Sequence, residues 1–171
     1  IPSKNIDLNF LTGYNYIVPK TLNPDYVYAV DDINRQYSYN TTSLDAASKI
    51  LKYRFLHNVK GDVEATFNNL WSLGISVKYF SKIVNMDAII KDFEETTAAS
   101  GGDKQNIRYM DYFNSHRFGN IICDARFSYS FNKSHKVALI GANVLNRSYS
   151  LRPLKIEPPR SVMLQYTWKI S

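Results

Sequence analysis

Large apolar side chains recur at every second position in several stretches of this chain, with small, polar or charged residues between them. The last stretch reads RSVMLQYTWKIS: Val162, Leu164, Tyr166, Trp168 and Ile170 alternate with Ser161, Met163, Gln165, Thr167, Lys169 and Ser171. Alternation of period two marks a strand with one apolar face and one wet face. The same pattern predicts a first strand from Ile6 to Val18, closed by Pro19, and a second from about Ile50 to Phe67. A tight Asn68-Asn69 turn leads to a third strand, Trp71 to Tyr79. The fourth is GNIICDARFSYSF, in which Ile121, Cys123, Ala125, Phe127, Tyr129 and Phe131 share a face. After a short polar turn, KVALIGANVLN forms a fifth strand, apolar on both sides, so its outward face stays open. RSVMLQYTWKIS is the sixth.

The connections carry as much information as the strands. The first and second strands, the third and fourth, and the fifth and sixth are joined by long segments, whereas the remaining joins are a few residues. All long connections therefore fall at one end and all short ones at the other. Membrane-spanning antiparallel barrels sort their loops this way, and long irregular loops are uncommon in compact soluble domains. One long segment, residues 87–99, departs from the strand pattern: Ile89, Ile90 and Phe93 are at helical spacing, which predicts a short helix.

Opposite the apolar rows stand Asp7, Asn9, Asn15, Asn58, Lys60, Asp62, Glu64, Lys78, Asp124 and Arg126. A Lys or Arg facing lipid near the bilayer midplane costs about 2–4 kcal/mol, so in a membrane these charges turn inward to a lumen. The chain thus reads as all-β, an antiparallel transmembrane β-barrel segment of about six strands. Trp71, Tyr79, Phe127, Tyr129, Tyr166 and Trp168 are its expected membrane-facing aromatics. Six strands do not close, because the smallest membrane barrels have about eight. Either two more strands lie within 20–48 or 85–118, for instance around NIRYMDYFN, or other polypeptide completes the wall.

Composition adjusts this picture in few places. Aromatic residues make up 14% of the 171-residue chain, which suits strands and oil–water interfaces. The net charge is +6, but Lys and Arg are dispersed and form no long run, which argues against nucleic acid as a partner. A single cysteine excludes an internal disulfide. The opening IPSKNIDL has no signal-peptide pattern, so the chain reads as cytoplasmic or as a mature or internal piece of an exported protein. His57, His116 and His135 stand apart in sequence, and no metal site, cofactor or catalytic constellation is expected.

The stretch NVLNRSYSLRPLKIEPPRSVMLQYTWKIS resembles the C-terminal end of TonB-dependent outer-membrane receptors. The matching elements are Asn143, Val144, Leu145 and Asn146, then Tyr149, Arg152-Pro153, Pro158-Pro159-Arg160 and the aromatic-rich last strand. GNIICDARFSYSF and SLGISVKYFSKIVNMDAI are similar to the strands before it. The resemblance implies the last part of a barrel of about twenty-two strands around a plug domain. It implies import of a scarce or bulky nutrient across the bacterial outer membrane, where the chain is an integral part of the wall. The implied partners are the remaining barrel and plug, the lipid bilayer, and an inner-membrane energy-coupling protein acting through that plug. An outer-surface lipoprotein stays open as a further partner. No plug segment is recognisable here, and the last residue, Ser171, departs from the aromatic ending usual in the family. By residue chemistry, Asn143 and Asn146 read as strand-end fasteners and the loop from Arg152 to Arg160 as a stiff connection.

Substrate contacts are expected in the first long loop, where Tyr26, Tyr28, Asp31, Asp32, Arg35, Tyr37 and Tyr39 combine rings for stacking with directional hydrogen-bonding groups. Two other readings make different predictions. A self-contained eight-stranded outer-membrane barrel requires the two further strands. A soluble ligand-binding β-barrel requires the apolar rows to face inward.

Overall fold

The structure is a computed structural model that describes residues 5–99, 108–152 and 155–170. Pro153, Ser171, the GGDKQN segment and the first two residues of NIRYMDYFN lie outside the described residues. The chain is mainly β, built on one open six-stranded antiparallel sheet. In chain order the elements are β1 (Ile6–Tyr16), β2 (Ala29–Val30), β3 (Gln36–Tyr37), α1 (Tyr39–Thr42), β4 (His57–Phe67) and β5 (Trp71–Phe80). There follow α2 (Ala88–Ala99), α3 (Tyr109–Ser115), β6 (Asn120–Ser130), β7 (His135–Ala142) and β8 (Ser161–Trp168). The sheet order is β1-β4-β5-β6-β7-β8, so each long strand pairs with its neighbour in sequence, and β2-β3 form a separate two-stranded hairpin.

Register joins the alternating patterns into two continuous faces. Leu8 pairs with Ala65, Ala65 with Leu73, Leu73 with Phe127, Phe127 with Leu139 and Leu139 with Leu164. That is one apolar row across the whole sheet, and directly opposed side chains on one face are the contacts that hold a sheet together. The register also assigns β7: Val137, Leu139 and Gly141 belong to the apolar face, Ala138 and Ile140 to the other. Adjacent to this row on the opposite face run Asn9, Glu64, Gly74, Arg126, Ile140 and Met163.

The turns account for the short joins. Asn68 and Asn69 both take left-handed φ, 51° and 57°, and the Leu70 amide donates to the Phe67 carbonyl at 3.0 Å. Two central residues with positive φ match the twist of a hairpin, and asparagine tolerates them best after glycine. In the other short turn the Asn132 carboxamide oxygen accepts from the amides of Ser134 and His135. Both turns lie at the end of the sheet where Trp71 and Tyr129 pair, and the three long connections leave from the opposite end.

Several sequence expectations are corrected. The second strand begins at His57, not near Ile50, because Lys49 and Tyr53 take left-handed φ of 57° and 60° and break the run. The fifth stops at Ala142, since Asn143 turns to φ 49°. The first ends at Tyr16 and the last at Trp168, both short of the predicted spans. Among the described residues around NIRYMDYFN no further strand is found: Tyr109–Ser115 is helical. The expected helix at 87–99 forms as α2. None of the described helices is long and apolar enough to cross a membrane.

Buried side chains concentrate where the long connections meet, with Tyr39, Ile83, Met86 and Tyr109 among them, and Met86 fully enclosed. The sheet itself is buried in the inverse of the usual sense. Along β5, Leu73, Ile75 and Val77 are 49%, 46% and 41% exposed, whereas Ser76 between them is 9% exposed and Gly74 is buried.

Candidate functional site

The polar face of the sheet carries an organised charge network. Arg126 Nη2 and Nη1 donate to the two carboxylate oxygens of Asp62 at 2.8 and 3.0 Å, and Arg126 Nε donates to Glu64 at 2.8 Å. Ser76 adds a short hydroxyl bond to Asp62 and accepts from Arg126 Nη1 at 3.1 Å. Planar guanidinium against carboxylate gives this bidentate geometry, which a lysine does not reproduce. Gly74 makes room for it: a Cβ there would lie 2.6 Å from Arg126 Nε. One row nearer the long loops, Lys78 Nζ donates to Asp124 at 2.9 Å, and the other Asp124 oxygen accepts from the Asn143 amide.

Above this face the long connections are fastened to one another. Asn85 is fully buried, and its carboxamide donates to the Tyr39 hydroxyl and the Ile50 carbonyl, each at 2.8 Å. Its side-chain oxygen accepts from the Asp45 amide at 3.0 Å. Asp87 takes the Tyr53 hydroxyl at 2.7 Å and a close Lys52 ammonium. Burial, followed by that carboxylate, pushes the Tyr53 phenol up. Glu94 on α2 accepts from the amides of Tyr109 and Met110, capping α3 in place of a local side chain. The Tyr112 hydroxyl receives the Ser150 amide at 2.7 Å, which ties in the third connection.

The residues expected to meet substrate divide into three groups. Asp31, Arg35 and Tyr37 come together: Asp31 accepts from Arg35 Nε at 2.7 Å, the Tyr37 hydroxyl at 2.9 Å, and the amides of Arg35 and Ile33. Desolvation raises the Asp31 carboxyl, but these four donors outweigh it and hold it at about 2. The partnership raises Arg35 and Tyr37 in turn. Tyr26 and Tyr28 are exposed with Asp32, the Tyr28 hydroxyl reaching Thr42 at 3.0 Å. Tyr39 is only 9% exposed, and its hydroxyl donates to the Ile50 carbonyl, so it belongs to the loop core.

The C-terminal element is held by its asparagines. Asn143 donates to the Arg147 and Pro158 carbonyls and accepts from the Arg147 amide, while Asn146 accepts from the Arg160 amide. The Tyr149 carbonyl receives the Glu157 amide at 2.9 Å, and burial, then Glu157, raises its phenol. Arg152 forms a bridge with Lys155, and Pro159 is exposed.

Aromatics on the apolar face cluster at its two ends. At the short-turn end Trp71 lies 4.2 Å from Tyr129 and 5.3 Å from Phe127, ring to ring. His135 stacks with Tyr166 and Trp168. At the loop end Tyr14 and Tyr16 stack on His57, and the Tyr79 hydroxyl donates to the Phe118 carbonyl.

Sequence reasoning did not single out Asn85 or Asp87, whose roles depend on partners far along the chain. Nor did it pair Arg126 with Asp62 and Glu64, although all three fall on the polar row. Among the described residues no His, Cys, Asp and Glu side chains group as a metal site. Comparison with protein-family models, with curated proteins and with solved structures finds no match to this chain.

Proposed function

We propose that this chain is a C-terminal portion of the wall of a TonB-dependent outer-membrane receptor, contributing strands and outer loops to an importer of a scarce or bulky nutrient. Its mechanism is binding and gated translocation, without chemistry on the solute. The observation that carries the membrane reading is the inverted sheet, with apolar rows open and charges on the more enclosed face. In water such a surface is a liability, whereas in lipid it is the required arrangement. Strands β1, β4 and β6 have 11 residues each and β5 has 10, the length that crosses a bilayer at a tilt. From Trp71 to Tyr79 the strand rises about 27 Å, or about 20 Å in height at the usual barrel tilt, so the two aromatic clusters are spaced as interfacial girdles. The family assignment rests on the Asn143–Asn146 element, Tyr149 and the Arg152 to Arg160 loop.

In this reading the open sheet edges, β1 and β8, pair with the remaining barrel, which supplies the plug and through it the contact to an inner-membrane energy-coupling protein. The helical Tyr109–Ser115 weighs against a self-contained eight-stranded barrel. The exposed apolar rows weigh against a soluble ligand-binding barrel.

Spin labels at Ser72, Leu73 and Ile75 in the bilayer-reconstituted protein test the membrane reading. Oxygen accessibility should be highest at Leu73 and Ile75, and a water-soluble nickel chelate should reach Ser72 preferentially. Equal nickel accessibility along the strand sinks the proposal. The receptor assignment is tested by the denatured masses in the native detergent-purified particle: a lone, monomeric 19.7 kDa species refutes it.

A further inference from the structure

Charge is distributed unevenly between the two ends of the sheet. At the loop end cations stand among acids, with Lys52 on Asp87 and Arg35 on Asp31. At the short-turn end, residues 65–73, 127–137 and 165–170 contain no Asp or Glu, yet they include Lys133, Lys136 and Lys169. All three lysines are exposed and form no ion pair among the described residues. The strands bring them to one corner. Lys133 lies in the turn joining β6 to β7, Lys136 pairs with Thr167, and the Lys169 amide donates to the Ser134 carbonyl at 2.8 Å. Glu64, deeper in the sheet, is held by Arg126. Asp7, nearer this end, is on β1, four strand spacings or about 19 Å from β7. That is beyond the reach of about 8 Å that charges have at physiological ionic strength.

The same corner carries the side chains that mark an oil–water boundary. Both tryptophans of the chain, Trp71 and Trp168, are at this end, with Tyr129 and Tyr166. Trp168 and Tyr166 are 61% and 59% exposed on the apolar face, and Lys169 follows Trp168 directly. Indole and phenol rings favour the depth where acyl chains meet headgroups, and lysines at the ends of spanning segments extend into the headgroup layer.

We propose that this corner of the wall selects anionic phospholipid, its lysines holding the phosphodiester headgroup while Tyr166 and Trp168 pack on the upper acyl chain. An ammonium brings three donors to phosphate acceptors, and such charge-assisted bonds are the strong ones. A zwitterionic headgroup carries its own cation and gains little from three uncompensated lysines, whereas an anionic one is drawn by each of them. The inference rests on the membrane reading alone and needs neither the receptor family nor a solute.

The test uses the native detergent-purified particle, reconstituted in bilayers that carry brominated phosphatidylglycerol or brominated phosphatidylcholine, bromine being a short-range quencher of indole fluorescence. The Trp168 signal is the part of the fluorescence lost in Trp168→Phe. Brominated phosphatidylglycerol should half-quench it at a mole fraction about threefold or more below that needed of brominated phosphatidylcholine. Salt at about 1 M should remove most of that difference. Lys133→Gln, Lys136→Gln and Lys169→Gln combined should equalise the two lipids. The same three positions changed to Arg should keep the preference, and Lys91→Gln at the loop end should leave it unchanged. Equal half-quenching in the unaltered protein overturns the proposal, and so does a preference that survives the triple Gln substitution. Either outcome leaves Trp168 in lipid and the membrane reading standing. A Trp168 quenched by neither lipid also overturns the proposal. If acrylamide then reaches the indole, the rim lies in water and the membrane reading falls with it. If acrylamide does not, neighbouring polypeptide covers the corner and that reading survives.

Discussion

Single residues on the polar face carry consequences out of proportion to their size. Gly74→Ala places a methyl group where the Arg126 guanidinium lies, and moving Arg126 leaves Asp62 and Glu64 without their shared cation. We expect a loss of about 1–3 kcal/mol, read as a lower urea midpoint of tryptophan fluorescence. Gly119→Ala should be worse, because that residue has φ 81° and its added Cβ would lie 2.1 Å from the Phe80 carbonyl oxygen. Asp31 gives a pH signature. Its folded carboxyl sits at about 2, below the ordinary value of 3.8, so its stabilisation of the β2-β3 hairpin is present above about 4 and fades as pH falls towards about 2. Carboxyl-carbon NMR should place the Asp31 midpoint well below the ordinary aspartate value of 3.8. Tyr26→Ala and Tyr28→Ala should weaken solute binding with the loop fold intact; unchanged affinity in both would clear those rings of a binding role.

Elements differ in how far they were legible from sequence. The long strands other than β7 were, because one polar-apolar alternation runs through each and a one-residue slip would exchange its faces; β7, apolar on both sides, takes its facing from the register alone. Asn68-Asn69 announced its turn for a local reason, the tolerance of asparagine for positive φ. The start of β4 was not legible: residues 50–56 carry enough apolar side chains to pass for strand, and what bends them is Tyr53, held by Asn85 and Asp87 more than thirty positions on. Of the candidate binding loop, composition identified an aromatic and charged cluster but could not separate exposed Tyr26 and Tyr28 from enclosed Tyr39. Asn85→Leu keeps the branched outline and removes the hydrogen bonds, leaving the Asp45 amide without its acceptor and the Tyr39 hydroxyl and Ile50 carbonyl without the carboxamide donor. Limited proteolysis should then cut residues 40–56 several-fold faster, with the tryptophan fluorescence of the strands unchanged.

For the molecule as a whole, the decisive property is that the sheet is open and its apolar face is bare. Edge strands β1 and β8 present unpaired backbone groups, and an apolar surface of this extent associates with whatever covers it. Expressed by itself in water, the chain should sediment as large aggregates. In detergent it should disperse, and in the native particle it should be found with the polypeptide that occupies its edges. A monodisperse, water-soluble monomer in analytical ultracentrifugation would contradict the lipid-facing assignment.

The buried asparagine that joins the outer connections also bears on how such a surface diversifies. A donor at position 85 with acceptors at Tyr39 and Ile50 means that the first connection cannot be exchanged for a foreign one by itself, since either side would lose its counterpart. Residues 17–56 and 81–87 are one heritable module written in two pieces. Recombination between related chains should transfer binding preference only when both pieces travel together; on the membrane reading proposed above, the strands between them are free to stay behind.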